Sequence, residues 1–374
     1  MAKSSALYIG LMSGTSTDGV DGVLADLSTP NQPNILSSAS LPLAPRLRET
    51  LLNLNDSGPD ELVRSANAAN ALATLYAQTC EQLLTQAALS AADISAIGAH
   101  GQTVRHNPGA GYTIQLNSPA LLAELTGINV VADFRTRDVA AGGQGAPLVP
   151  AFHQAIFSTD YPRTVLNLGG MANITVLSPG KVVSGFDTGP ANVLMDLWCG
   201  LKTGHAFDND GQWANTGTPC ASLLAHLISS EPWFGLAPPK STGRDLFNKT
   251  WLMTRLEQWQ QANAQATISN ADIQATLLAL TAETVGSAVR SYAPESKELV
   301  VCGGGALNSA LMQALGETLN CPVFASSKIG VPVQEVEALA FAWLAWAYMN
   351  DYAAGQPSVT GARKATVLGC LHKA

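Results

Sequence analysis

The chain is short of charge, and most of all of positive charge. Only 13% of its 374 residues are charged, with 20 Lys and Arg against 28 Asp and Glu for a net charge of −8. No Lys/Arg cluster interrupts this acidic background, which excludes the phosphate-tracking surface that nucleic acid or an anionic membrane face requires. An anionic ligand must therefore be met by backbone amides, a metal ion or a few placed cations. Cysteine is scarce too. Cys80, Cys199, Cys220, Cys302, Cys321 and Cys370 show no CxxC spacing, and the six histidines form no HxxxH pair. That argues against a disulfide framework or a structural zinc site, and for reduced, mostly buried thiols. The longest apolar run, Ala338 to Met349, falls short of the ~18 residues that a bilayer span needs. The run Ala6 to Met12 stops at Ser13-Gly14 before it can serve as a signal-peptide core. The expectation is a cytoplasmic protein with no nucleic-acid or membrane partner.

What the sequence does hold is apolar core: 47% of residues are hydrophobic, in a chain long enough for two domains. Ile9 to Asp26, IGLMSGTSTDGVDGVLAD, reads as an apolar strand, a small-residue turn and a second strand with two carboxylates. A turn of Ser13, Gly14, Thr15, Ser16, Thr17 and Gly19 lets backbone N–H groups and hydroxyls close on an anionic oxygen, since few side chains obstruct the approach. Asp18 and Asp21 are then placed to hold a hydrated cation. The same residues also make a plain β-hairpin turn, and the rest of the chain has to decide.

Asn34 to Leu43 continues as a third antiparallel strand. Leu62, Ala66, Ala69, Ala73, Tyr76, Cys80, Leu83 and Ala87 recur at three- and four-residue spacing, which predicts an amphipathic helix over 61–88. Asp93 to His100 is then a short buried strand ending in His100-Gly101-Gln102-Thr103. Polar residues past a strand's C-terminal end face the ligand crevice of an open α/β sheet, so His100 and Gln102 are candidate substrate contacts. Ser118 is expected to cap a helix through Thr126. Asp133 to Pro147 reads as a flexible crossover loop between lobes, with Arg135, Asp138 and Gln144 as substrate contacts; a hinge with internal ion pairs is the alternative.

From Val165 the opening theme returns. Strand 165–168, the tight turn Gly169-Gly170-Met171-Ala172-Asn173, strand 174–177 and strand 182–186 form a second glycine hairpin, where a duplicated lobe should begin. Asp187, just past the third strand, either faces a ligand as a catalytic acid or caps the helix Val193 to Leu201. Lys240 and Arg244 are rare cations suited to a carboxylate or phosphate, or to solvent. Strand 298–302 runs into Gly303-Gly304-Gly305, whose backbone can lie against a planar ring or approach phosphates at the following helix. The last helix, 336–348, carries Glu335 and Glu337 at its start, where the helix dipole favours carboxylates in any case.

Eight stretches in order, GLMSGTSTDGVD, AHGQT, DFRTRDVAAGGQGAPLVP, NLGGMANIT, GFDTGPAN, PPKSTGRDLFN, CGGGALN and EALAFAWLA, resemble the 1,6-anhydro-N-acetylmuramic acid kinases. These belong to the sugar kinase, actin and heat-shock chaperone ATPase superfamily. The resemblance implies an α/β fold of two duplicated, ribonuclease-H-like lobes with a cleft between them: 1–135 with about 320–374, and about 136–319. It implies an ATP-dependent sugar kinase that opens the anhydro bridge with water, giving N-acetylmuramate 6-phosphate and ADP in peptidoglycan recycling. ATP and Mg²⁺ are the implied cofactors, with Asp18 and Asp21 as the metal candidates. The anhydro amino sugar is the implied partner, and a homodimer stays open. On the resemblance, Gly14, Thr15, Ser16, Thr17, Asp18, Gly19, Val20 and Asp21 form the ATP-phosphate loop. Gly169, Gly170 and Asn173 flank the phosphates, and Gly303, Gly304 and Gly305 border the adenosine. Asp187 matches the general base, and Glu337 an acid near the sugar. Thr17 and Ala191 depart from the family pattern, the latter where a glycine is usual and a positive φ would make its methyl costly. A kinase of another amino sugar or polyol, or an actin- or chaperone-like nucleotide switch, are the competing readings.

Overall fold

The computed structural model describes residues 6–14 and 17–374. The chain opens with β1 (Leu7–Met12), β2 (Gly19–Asp26) and β3 (Asn34–Pro42), then α1 (Pro45–Asn53) and the long α2 (Glu61–Ala87). β4 (Ile94–Ala99), β5 (Gln102–Asn107), β6 (Tyr112–Leu116), α3 (Pro119–Thr126), β7 (Val130–Ala132), α4 (Phe134–Ala140) and α5 (Pro150–Phe157) follow. Next come β8 (Arg163–Leu168), β9 (Met171–Leu177), β10 (Ser184–Pro190), α6 (Asn192–Thr203), α7 (Ala221–Ser229), α8 (Lys249–Ala262) and α9 (Asn270–Tyr292). The chain ends with β11 (Leu299–Cys302), α10 (Ser309–Thr318), β12 (Val323–Ala325), α11 (Val336–Met349), α12 (Pro357–Thr360) and β13 (Cys370–His372).

Two compact units result, one of residues 1–158 with 334–374 and one of 159–333. The divisions fall later than the expected 135/136 and 319/320. α4 and α5 stay with the first unit because α4 packs on β6 and α5 on α11. β12 stays with the second because it pairs in parallel with β11.

Each unit is built on a sheet with the same plan. In the first the order is β13-β7-β4-β1-β2-β3, and in the second β10-β9-β8-β11-β12. Three antiparallel strands come first (β1-β2-β3 and β8-β9-β10). A helical crossover then returns the chain to strands parallel to the first one (β4 and β7, β11 and β12). The shared order third-second-first-fourth-fifth is the duplicated ribonuclease-H-like plan, with β13 added at one edge.

The physical reasons are legible element by element. α2 buries Ala69, Leu72, Ala73, Tyr76, Cys80 and Leu83 along one stripe, the amphipathic face its spacing predicts. α9 starts on a capping box in which Ser269 and Asp272 satisfy each other's backbone N–H groups. α11 is apolar nearly all round because it is buried nearly all round. It lies directly on the first sheet at Gly10 and Gly98, which are paired across β1 and β4. A Cβ built on Gly10 would stand 1.8 Å from the Ala338 carbonyl oxygen, and one on Gly98 2.0 Å from that of Phe341.

Three local expectations are corrected and one unassigned stretch is filled in. The Asp133–Pro147 crossover contains α4, because Phe134, Asp138 and Val139 form a buried face that its charges obscure. Residues 102–116, to which the sequence assigns no element, form the β5-β6 hairpin. Ser118 starts α3 without a side-chain cap; its N–H is instead taken by the side chain of Asn117. The third strand of the second hairpin runs on past Phe186, so Asp187 lies within β10 and caps no helix.

His100 and His153 are buried, and burial drives both down to about 3, in His100 with help from Arg135. Folded, they stay neutral; unfolded, they protonate near 6.5. The unfolded chain thus binds more protons, and stability is full above pH 6.5 and lost as pH falls. At pH 5 the loss is about 2 kcal/mol for each histidine. Urea midpoints at pH 7.5 and pH 5 measure it, and His153→Phe is expected to shrink the difference by its own share, about 2 kcal/mol.

Candidate active site

In the first unit the turn between β1 and β2 is held from two sides. Ser13, buried, donates its hydroxyl to Gln102 Oε1 at 2.5 Å, and Gln102 Nε2 donates to the Gly14 carbonyl at 3.1 Å. On the far side Arg48 Nε donates to the Thr17 carbonyl at 2.9 Å. Thr17 is buried with φ +54, a left-handed conformation that a β-branched residue adopts only under constraint. Its N–H closes the turn on Gly14 at 3.1 Å. Thr15 and Ser16 lie outside the described residues. Gly19 approaches the β3 backbone, where a Cβ would meet the Leu41 carbonyl at 2.8 Å. Val20 turns its side chain into the core, so only its backbone is left to meet a ligand.

Asp18 is exposed and Asp21 half-buried. Burial raises the Asp21 carboxyl above its usual range, and the negative charge of Asp18 pushes the same way. Two carboxylates that repel across a turn are an arrangement that a cation would relieve.

Behind the turn, His100 accepts from Arg135 Nε at 2.9 Å, and Arg135 Nη1 donates to the Gly145 carbonyl at 2.8 Å. His100 is buried beneath Phe341, their rings 4.7 Å apart. It therefore positions Arg135 and does not face substrate itself. Asp138 is also corrected: it is fully buried, with one oxygen accepting from Gly145 N–H at 2.8 Å and the other from the Thr360 hydroxyl at 2.7 Å. It ties the glycine turn to α12 and has no access to a ligand. Gln144 is half-buried, and its N–H is bonded to the Thr360 carbonyl at 2.8 Å. Gln102 spends both ends of its amide on the turn, so it shapes the loop where a sugar contact was expected. Glu337 sits in the first turn of α11, half-buried, one residue before the helix meets Gly10.

In the second unit, Asp187 is 6% exposed. Its N–H donates to the Lys240 carbonyl at 3.2 Å, and its Oδ2 accepts from Thr242 N–H at 2.9 Å. Lys240 Nζ donates to the Phe234 carbonyl at 3.1 Å and sits 4.3 Å from the centre of the Trp233 ring. Burial lowers the Lys240 pKa, while the charge of Asp187 opposes this. The segment 238–245 was legible only as a polar loop with two cations; its contact with Asp187 joins residues 55 apart in sequence, for which no local signal exists.

A bulge in β10 at Thr188 follows Asp187. Gly169 and Gly170 then receive the N–H groups of Asn192, Ala191 and Val193 on their carbonyls. Ala191 has φ −110, so the positive φ that would make its methyl costly is not adopted there. The left-handed glycine is Gly303, φ +81, where a Cβ would stand 2.5 Å from Asn167 Oδ1. Gly305 packs closely on Leu168, whereas Gly304 is exposed, with nothing within 4 Å of where its Cβ would be. Asn308, not the triple glycine, caps the helix that follows.

The family model for anhydro-N-acetylmuramic acid kinase matches residues 6–374. A protein of Bordetella parapertussis named anhydro-N-acetylmuramic acid kinase is 59% identical over 368 residues, covering 98% of this chain and 96% of its own. One of the same name from Ralstonia nicotianae is 52% identical over 381 residues, covering 99% and 98%. Among solved structures, the activator of the 2-hydroxyisocaproyl-CoA dehydratase from Clostridium difficile with bound ADPNP is similar at a TM-score of 0.47. It is 14% identical, over 91% of this chain and 94% of that one. With a family model matched almost end to end and full-length relatives more than half identical, this chain belongs to the anhydro-N-acetylmuramic acid kinase family.

Proposed function

We propose that the chain phosphorylates 1,6-anhydro-N-acetylmuramic acid with ATP, opening the anhydro bridge with water and giving N-acetylmuramate 6-phosphate and ADP for peptidoglycan recycling. Family membership along the whole chain supports the activity. The observation that carries the mechanism is Asp187, a buried carboxylate held in one orientation by the Thr242 N–H.

Water is a weak nucleophile toward an anomeric carbon, and a positioned carboxylate takes its proton as the new bond forms. Asp187 has that role. The bond from C1 to the 6-oxygen breaks as the bond from water forms, and the 6-oxygen attacks the terminal phosphate of ATP. A second carboxyl acting as general acid is not required, because the phosphoryl group captures the leaving oxygen. Phosphoryl transfer depends on positioning and electrostatics. In the first unit the backbone at Gly14 and from Thr17 to Asp21 is suited to phosphates; in the second, Gly169, Gly170 and the exposed Gly304 are the glycines suited to a nucleotide. Arg135, steadied by His100 and Gly145, and Glu337 meet the sugar.

Asp18 and Asp21 fit Mg²⁺. Burial, with a smaller contribution from the charge of Asp18, holds the Asp21 carboxyl above its usual range, and a bound cation would offset this. One or two carboxylates completed by substrate phosphates is the usual Mg²⁺ arrangement. When bound, the ion supplies charge neutralisation at the transferring phosphate. No described helix is long and apolar enough to cross a membrane.

Turnover in ¹⁸O-labelled water tests this route. The label is expected at the 1-hydroxyl of the sugar product and absent from the transferred phosphate. Label in the phosphate instead would mean that water attacks ATP, which belongs to a nucleotide switch.

A further inference from the structure

Directly across the sheet from Asp187 stands Asn173. The register pairs Asn167 with Asn173 and Asn173 with Asp187. The three side chains therefore leave one face of β8, β9 and β10 in a row, with neighbouring Cβ atoms about 4.5–5.5 Å apart. Two of the three are accounted for: Asn167 Oδ1 is turned to Gly303 and the Cys302 thiol, and Asp187 is held by the 240–242 backbone. Asn173 Oδ1 is buried with no hydrogen-bond partner among the described residues. A buried amide oxygen left unpaired is costly and calls for a partner that the chain does not supply.

The chemistry beside it names one. A water attacking an anomeric carbon presents a lone pair to C1 and directs both hydrogens away. One hydrogen goes to the Asp187 carboxylate, which removes it. The other requires a second acceptor, and a neutral one, so that it does not compete for the departing proton. We propose that Asn173 Oδ1 is this second acceptor, so that Asp187 and Asn173 together hold and aim the nucleophilic water. The proposal rests on Asp187 being the base. As the C1–O bond forms and C1–O6 breaks, one proton passes to Asp187. The other stays on the new 1-hydroxyl, still donated to Asn173. The Thr242 hydroxyl is also buried and without a partner among the described residues, but Thr242 already serves Asp187 through its N–H and lies on a loop, whereas Asn173 is fixed in the strand opposite.

Asn173→Leu keeps the volume and removes the acceptor. The expected result is a fall in kcat of about 10- to 100-fold, the size that misaimed reactants produce, with ATP affinity and the KM for the sugar within twofold of wild type. Asn173→Asp restores an acceptor oxygen and recovers most of the plateau kcat. Its acid limb moves to higher pH, because a second carboxylate then faces Asp187 across the strands. The proposal is overturned if Asn173→Leu turns over at the wild-type rate, if Asn173→Asp is as slow as Asn173→Leu with an unmoved acid limb, or if Thr242→Val alone produces the loss. Asp187→Asn run in parallel separates the two ideas. Inactive Asp187→Asn beside fully active Asn173→Leu sinks only the second acceptor, and active Asp187→Asn sinks the base itself.

Discussion

Asp187→Asn is expected to bind ATP as wild type does and to turn over at least ~100-fold more slowly, the lower range of a general-base contribution. The substitution keeps the side chain's shape and an oxygen to accept the Thr242 N–H, so the strand and the 238–245 loop stay in place. What is lost is the ability to take a proton. Nucleotide titration followed by fluorescence, beside steady-state ADP release, separates the two effects. Unchanged turnover would put the base elsewhere; lost ATP binding would make Asp187 a scaffold residue.

The second large effect is on folding. Gly10→Ala places a methyl group 1.8 Å from the Ala338 carbonyl oxygen and 2.5 Å from the Ala342 nitrogen. Both are backbone atoms of a buried helix, and no side chain can swing away to make room. Overpacking of this kind costs about 3 kcal/mol or more. At about 2–4 °C per kcal/mol for a unit of this size, the melting temperature should fall by roughly 6 to 12 °C. Gly316→Ala is the control: Gly316 lies exposed in α10 with nothing near its would-be Cβ, and helix propensity there favours alanine by about 0.5–1 kcal/mol. A mild Gly10→Ala would mean that α11 is free to lift off the sheet.

These two positions show what a linear sequence makes legible. The first hairpin, the long α2 and the second hairpin announce themselves through period and turn chemistry, because their stabilising contacts lie within a few residues. From there the alternation of helix and strand carries the two-unit plan. Gly10 and Gly98 give no such signal. Each reads as a weak point in a strand, and only their pairing across β1 and β4 turns them into the bed of a helix more than 200 residues further on. Asp138 misleads for a related reason. A carboxylate in a glycine-rich stretch looks like a ligand contact, but its partners are Gly145 and Thr360, and the second of these is invisible until the chain returns. Gln102 and His100 read as substrate contacts because they follow the C-terminal end of a strand. Burial and hydrogen bonding show them supporting neighbours, Gly14 and Arg135.

The β5-β6 hairpin and α4 escaped for a simpler reason. Their polar faces are as rich in charge and amide as a loop, and short elements offer too few apolar positions for a period to stand out. In the second unit the candidates legible in the sequence are Asp187 and its glycines. It was not legible as a row of Asn167, Asn173 and Asp187, because cross-strand neighbours are set by register and not by spacing.

ADP release by the purified protein with ATP and Mg²⁺, measured with and without 1,6-anhydro-N-acetylmuramic acid, tests the central claim most directly. The expected result is one ADP for each sugar 6-phosphate formed and no release above background without the sugar. Equal ADP release in its absence would contradict a sugar kinase and leave a nucleotide switch in its place.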